Sequence, residues 1–245
     1  MNVLAIDVGG TNLKILATGQ DERRKVPSGP NMTANRMVAE ARKLAKDLKY
    51  DVVSIGYPGL VHEGRPIAEP RNLGAGWVDF DFERAFGCPV KIINDAAMQA
   101  LGSYHNGKML FLGLGTGLGS CAVVNGKVGA LELAHLPYKK WTYEDYVGRR
   151  RLEQRGRKKW SKDVAEVVAH LVKALQPNDV VLGGGNAKKL TKLPKGCRLG
   201  SNANAFLGGF RLWEDGEESQ PRKRKRSVNR NRPRSVVKPR SVNGA

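Results

Sequence analysis

Cysteine is scarce in this chain: Cys88, Cys121 and Cys197 are three residues among 245, far apart and without a C-x-x-C pair. That spacing excludes a dense disulfide framework, argues against a cysteine-built zinc site and suits a reducing compartment. Long apolar runs are absent too. No stretch reaches the roughly eighteen apolar residues of a helical membrane span, and the N-terminus lacks the charged-then-apolar order of a secretion signal. The expectation is a cytoplasmic protein with no membrane partner. Acidic residues are few, 23 Asp and Glu against 42 Lys and Arg, for a formal charge of +19. The excess is uneven: Gln220–Ala245 holds ten Lys or Arg and no acid, leaving about +9 on the rest. An anionic partner follows from that charge, but charge alone does not say which.

At 40% apolar, the 245 residues can bury a core as one large domain or two smaller ones. Val3–Ile6 is an apolar run of buried-strand type, and Leu13, Ile15, Leu16 and Ala17 resume it after a glycine turn. Thr33 stands as the cap of a helix whose Met37, Val38, Ala41, Leu44, Ala45 and Leu48 follow a 3.6-residue period. Strands are expected at Val52–Gly56 and Lys91–Asn94, with a helix from Asp95 and a loop over Glu69–Gly76. A second unit opens at Met109 with strand, glycine turn and strand, and Asn125-Gly126 signals a hairpin. Ser161 is expected to cap a helix stopped by Pro177, followed by the strand "DVVLGGG", a weak helix and a last helix over "NANAFLGGFRLWE". This order favours a layered α/β protein.

The two units begin alike, "AIDVGGTNLKILA" and "FLGLGTGLGSCAV". Each is an apolar strand, a turn of glycine and threonine, and a returning strand. Backbone N–H groups at such a turn are uncovered and can converge on a phosphate, although an ordinary hairpin needs the same glycines. Asp7 adds a hard carboxylate of the kind that holds magnesium or its waters, Thr11 a hydroxyl and Lys14 a cation. Asp95 is equally suited to capping its helix. "GSYHNGKM" satisfies G-x-x-x-x-G-K, yet Met109 replaces Ser or Thr and a strand follows, so a P-loop is rejected. "GLGTGLG" is not a dinucleotide fingerprint, because counting from Gly113 puts Leu118 at the last position.

In order, "DVGGTNLK", "NDAAMQALG", "GLGTGLG", "ELAH" and "VVLGGG" resemble the ROK sugar kinases over roughly residues 2–212. The resemblance implies two ribonuclease-H-like (actin/hexokinase-like) α/β domains facing across a cleft. They would span 1–107 and 108–214, with the last helix packed back on the first domain; composition adds a disordered basic tail over 215–245. It implies a phosphate turn at Asp7, Gly9, Gly10, Thr11 and Lys14, with Asp7 near Mg2+ through water. Asp95 would be the general base and, with Asn94, a sugar contact. Gly115, Thr116 and Gly117, flanked by Gly113 and Gly119, would form the second phosphate turn, and Gly183, Gly184 and Gly185 the turn bordering a nucleotide. Glu132 and His135 of "ELAH" would bind sugar hydroxyls, although Ala134 stands where glycine is usual. Asn72 and Glu144 complete the implied sugar site, and relatives of this kind often form homodimers.

One departure is an absence again. Many ROK proteins follow that histidine with a cysteine-rich zinc motif, and here no cysteine appears until Cys197. The short, zinc-free form resembles the polyphosphate glucokinases, which implies polyphosphate, ATP or both as donor and glucose as acceptor. If Asp145–Lys159 is helical, Arg151, Arg155 and Lys158 or Lys159 share a face and form a cationic stripe for a linear polyanion. The tail is open to three readings: a second polyphosphate anchor, a nonspecific nucleic-acid contact, or a solubility extension. Two other readings of the whole chain remain. One is an ATP-dependent kinase for another hexose or amino sugar, favoured by the Gly183–Gly185 turn. The other is a sugar sensor with a nucleic-acid-binding tail; its repressor relatives carry an N-terminal helix-turn-helix, and the first strand at Val3 leaves no room for one.

Overall fold

The computed structural model describes residues 1–201 and 203–214; the basic tail lies outside the described residues. The first half contains β1 (Val3–Val8), β2 (Asn12–Ala17), β3 (Arg24–Pro27), α1 (Ala34–Leu44), β4 (Val52–Tyr57), β5 (Val61–His62) and β6 (Arg65–Pro66). It continues with α2 (Phe82–Phe86), β7 (Val90–Asn94) and α3 (Asp95–Ser103). The second half contains β8 (Lys108–Leu114), β9 (Leu118–Val124), β10 (Lys127–Leu131), β11 (Pro137–Tyr138), β12 (Trp141–Thr142), α4 (Tyr143–Val147) and α5 (Arg149–Leu175). It ends with β13 (Asp179–Gly183), β14 (Cys197–Leu199) and α6 (Asn204–Arg211).

The sequence repeat is a structural repeat. One sheet runs β3-β2-β1-β4-β7 and the other β10-β9-β8-β13-β14. In each, the first strand pairs antiparallel with the next and parallel with the strand that follows the crossover helix. Strand parity then sorts the side chains. Leu4, Ile6 and Val8 of β1 face Met37, Val38 and Ala41 of α1 in one core, while Ala5 lies against α6. In the second sheet Leu110, Leu112 and Leu114 pack with Val164, Val167, Val168 and Leu171 of α5. Met109 and Phe111 face the other way, onto Ala97 and Ala100 of α3. Asp7 shares its face of β1 with Ala5, so it opens toward the central layer.

That central layer is the pair α3 and α6, whose backbones touch. A Cβ on Gly102 would lie 1.8 Å from the Asn204 carbonyl oxygen, and one on Gly208 would lie 1.8 Å from that of Met98. Only hydrogen fits at either place. The helices also exchange sheets: α3 follows the first sheet but lays its alanines on the second, and α6 does the reverse. The Ser54 hydroxyl donates to the Gly209 carbonyl at 2.6 Å and accepts from the Trp213 indole at 2.8 Å, and Lys91 donates to the Leu212 carbonyl at 2.6 Å. The carbonyl end of α3 is closed by two arginines. Arg211 donates to the Leu101 and Tyr104 carbonyls at 2.7 and 2.8 Å, and Arg198, paired with Asp179, donates to that of Ser103 at 2.5 Å. Cations there satisfy the last carbonyls and oppose the helix dipole.

Two expectations fail between residues 145 and 175. The segment is not one helix to Lys159, and Ser161 caps nothing. Gly148 is extended between α4 and α5, and Gly156, at φ 71 and ψ 165, breaks α5 into Arg149–Arg155 and a longer piece from Arg157. Trp160 is fully buried and donates to the Val147 carbonyl at 2.8 Å, which holds the chain helical upstream of Ser161. The Ser161 hydroxyl instead donates to the Arg157 carbonyl at 2.7 Å and accepts from the Thr191 N–H at 3.1 Å.

Gly102→Ala is expected to destabilise the fold by about 1–3 kcal/mol or more through overpacking, although alanine favours an isolated helix by about 1 kcal/mol. Gly129→Ala, whose Cβ would come no nearer than 3.9 Å to the Ala122 carbonyl oxygen, should stay within about 0.5 kcal/mol. Urea unfolding of both variants checks the α3–α6 contact.

Candidate active site

The first turn is built by register. Pairing β1 with β2 sets Asp7 opposite Lys14, and the ammonium meets the Asp7 carboxylate at 2.7 Å. The turn closes through the Gly9 N–H and the Asn12 carbonyl at 3.1 Å, and a Cβ at Gly9 would press on that oxygen at 3.0 Å. Ser28, which the sequence reading missed, donates its hydroxyl to the Gly9 carbonyl at 2.5 Å and anchors the turn to β3. Thr11 is exposed. Asn72 comes from the loop ahead of α2 and stands against Gly10; a Cβ on that glycine would lie 3.4 Å from Asn72 Cβ.

At the start of α3 the two polar residues divide the work. Asn94 is the N-cap: its Oδ1 accepts from the Ala96 and Ala97 N–H groups at 2.9 and 3.3 Å. Its Nδ2 donates to the Gly59 carbonyl at 3.0 Å. The expected sugar contact is therefore tied into the scaffold at both ends of its amide, and the capping role considered for Asp95 falls to its neighbour. Asp95 is left partly buried, accepting from the Ala96 N–H at 2.7 Å. Burial pushes its carboxyl up to about 6; the Asp7 charge adds to the rise, and the Ala96 N–H and Lys14 oppose it.

Asp95 opens into a cavity of about 420 Å³ that also reaches Gly115, Thr116 and Gly117 of the second turn, Gly184 and Gly185 of the third, and Glu144. Two residues not foreseen from the sequence, Gln99 and Arg149, line it as well. The second and third turns are clasped by Asn186, 3% exposed, whose side-chain amide donates to the Gly115 carbonyl at 2.8 Å. Gly184 is left-handed at φ 80, and a Cβ there would meet the Leu114 carbonyl oxygen at 2.5 Å. Gly183 ends β13 against the Phe111 ring, where a Cβ would come within 2.4 Å. Glu144 serves the second turn: its carboxylate accepts from the Leu118 N–H at 3.1 Å and fills the space beside Gly117.

Other expected residues lie elsewhere. Glu132 and His135 are exposed on the loop after β10 and do not line the cavity. The cationic stripe is dispersed. Arg151 donates to Asp163 at 3.4 Å and lies over the Tyr146 ring at 4.7 Å, and Arg155 pairs with the same carboxylate at 3.7 Å. Lys158 and Lys159 are exposed beyond the Gly156 break. A larger cavity of about 910 Å³ opens beside the β5–β6 hairpin, α2 and β7 but holds none of the candidate residues. Two of its four acids have local tasks, Asp81 capping α2 and Glu83 accepting from the Val90 N–H at 3.2 Å.

Among the described residues no group of three or more His, Cys, Asp or Glu converges on a metal position. The Asp7 carboxylate, close enough for its charge to raise the pKa of Asp95, fits a divalent ion that takes most of its ligands from phosphate and water. No helix among the described residues is long and apolar enough to cross a membrane.

Two sheets of one topology, each with a glycine turn after its first strand, define an actin/hexokinase-like protein. The family model described as "ROK family" matches residues 3–131, just over half of the chain, and the chain belongs to that family. It is 31% identical over 144 residues to an N-acetylmannosamine kinase of Citrobacter koseri, a match covering 52% of this chain and 49% of that protein. The chain thus spans about half the length of the curated relatives it matches. An inorganic polyphosphate/ATP-glucomannokinase from Arthrobacter sp. strain KM superposes with a TM-score of 0.70 at 24% identity, over 85% of this chain and 96% of that one. A ROK family glucokinase from Streptomyces griseus, in complex with glucose and AMPPNP, superposes at 0.67 with 16% identity, over 88% and 100%. At those identities the likeness is one of fold.

Because Asp95 takes its proton more readily folded than unfolded, its ionisation costs stability as pH rises from about 4 to about 6. Below that window the carboxyl is protonated in both states and contributes nothing. Asp95→Asn is therefore expected to be more stable than the parent at pH 8 and nearly equal to it near pH 3, as read by urea unfolding at both values.

Proposed function

We propose that the chain is a sugar kinase that moves the terminal phosphoryl group of an anionic donor to a sugar hydroxyl, with Asp95 as general base. One observation carries this reading: a carboxyl held near pH 6 opens into the cavity formed by the second and third glycine turns. A hydroxyl is a weak nucleophile, and a carboxylate within reach can take its proton as the phosphorus–oxygen bond forms. The bond from phosphorus to the bridging oxygen breaks, and its electrons leave with the shortened donor. Backbone N–H groups of the glycine turns meet the phosphate oxygens, and the Asp7–Lys14 pair sits at the first turn. Mg2+, when bound beside Asp7 through water, would offset charge on the donor oxygens.

Glucose with polyphosphate or ATP is the leading pair. Its support is the architecture shared with the Arthrobacter glucomannokinase and the lack of a cysteine-rich insertion between His135 and Cys197. The cationic stripe no longer supports it, since Arg151 and Arg155 are held by Asp163. Glu132 and His135 would join the sugar with Asn72 on closure of the cleft, which also excludes water from the donor. A second reading, N-acetylmannosamine with ATP, is favoured by the matched curated relatives.

Phosphoryl transfer to glucose and to N-acetylmannosamine, each with polyphosphate and with ATP, tests both. Turnover on one sugar assigns the acceptor; none on either sugar with either donor would overturn the leading and second readings. Asp95→Asn should lower kcat by roughly 10²–10⁴-fold, the usual worth of a general base, while sugar binding measured by calorimetry persists. In the parent enzyme kcat/KM should climb with pH through about 6 as Asp95 loses its proton, and then level. A flat profile from pH 5 to 8 removes Asp95 from the role.

A further inference from the structure

The cavity beside Asp95 holds two carboxylates, Asp95 and Glu144, and one cationic side chain, Arg149. A polyphosphate-type donor arriving there brings several negative charges into a wall that already carries two. Backbone N–H groups offset part of that repulsion, and a guanidinium offsets more, because it is always charged and matches a phosphate with two parallel donors.

Arg149 is placed for this. Its backbone N–H donates to the Thr116 carbonyl at 3.1 Å, so its main chain is pinned to the second turn itself. Gly148 makes the close approach possible, since a Cβ there would lie 2.8 Å from the same carbonyl oxygen. The side chain is exposed along the cavity wall, and among the described residues no carboxylate pairs with it. Several neighbouring cations are committed elsewhere: Arg151 and Arg155 to Asp163, Lys139 to Glu166, and Arg157 to the Lys189 carbonyl.

We propose that Arg149 is a donor-binding residue that holds the phosphate next to the one transferred, the feature ATP and polyphosphate share. This rests on the kinase reading above. As the terminal phosphorus–oxygen bond breaks, negative charge gathers on the bridging oxygen of the shortened donor. A guanidinium in contact with that phosphate stabilises the product more than the reactant, so it acts on kcat as well as on donor affinity.

The test uses Arg149→Ala, Arg149→Lys and, as a control one residue away, Arg150→Ala, all in the full chain. Arg149→Ala should raise the donor KM roughly tenfold to a hundredfold, the range of a lost charge-assisted hydrogen bond. Sugar KM should hold, and Arg149→Lys should recover part of the loss. For polyphosphate the dependence of log affinity on log salt should fall by about one for Arg149→Ala and stay unchanged for Arg150→Ala. An equal loss with ATP and polyphosphate assigns Arg149 to the shared phosphate; a loss with polyphosphate alone places it further along the polymer and overturns the assignment. Unchanged donor KM and salt slope would overturn it too, as would a fall in sugar affinity as large as that in donor affinity. If the parent chain transfers phosphate to no sugar, the kinase reading fails by itself. Equilibrium binding of polyphosphate and of a non-hydrolysable ATP analogue to parent and Arg149→Ala then still decides whether Arg149 binds the donor.

Discussion

Everything in the site depends on how closely α3 and α6 approach. Gly102 and Gly208 remove side chains from the seam, so the backbone of one helix rests on the carbonyls of the other. The packing fixes α3 along its length, while Arg198 and Arg211 hold its carbonyl end and Asn94 caps its amide end. A helix secured in this way has little freedom to slide. Asp95, its first residue, inherits that rigidity, and Ala96 lies under Gly119 of the second sheet. The Asp95 carboxyl is thus referenced to the second glycine turn through close packing at the backbone.

The same geometry explains the unusual carboxyl. Capping is the common occupation of an acid at a helix start, and it would expose Asp95 to several N–H groups and lower its pKa. Because Asn94 performs the cap, burial outweighs the single Ala96 contact. Charges around the cleft are then divided: Lys14 is bound to Asp7 at the first turn, and Arg149 stands at the second. Elsewhere the surplus of Lys and Arg serves architecture. Arg198 and Arg211 close a helix, and Arg151 spans from the Tyr146 ring to Asp163.

The repeated strand–turn–strand unit is readable because it joins apolar runs through glycine turns, and Gly117 in the second of them leaves no room for a Cβ beside the Glu144 carboxylate. Short edge elements are not. β3 and β14 offer four and three residues and α2 five, too few for a period. The division between Asn94 and Asp95 was invisible since either residue caps well. Gly156 is the sequence's own mark of the break: a glycine inside a run of Arg and Lys interrupts the helix and divides the expected stripe. Arg149 was hidden among three consecutive arginines, which only the contact between its backbone and Thr116 distinguishes. Nor does spacing show that Glu144 supports a glycine turn, because the contact joins residues 26 positions apart.

The exchange of α3 and α6 between the sheets also bears on how the chain is made. Residues 1–94 complete all five strands of the first sheet, yet the helix that covers Ala5 and Ser54 is translated more than one hundred residues later, at 204–211. A nascent chain emerging from the ribosome therefore carries the strands of the first sheet with the face of Ala5 and Ser54 uncovered until nearly the whole described sequence is out. Neither half is a self-sufficient folding unit. Order of synthesis and order of packing therefore differ: the first sheet is made first, and its second face is covered last.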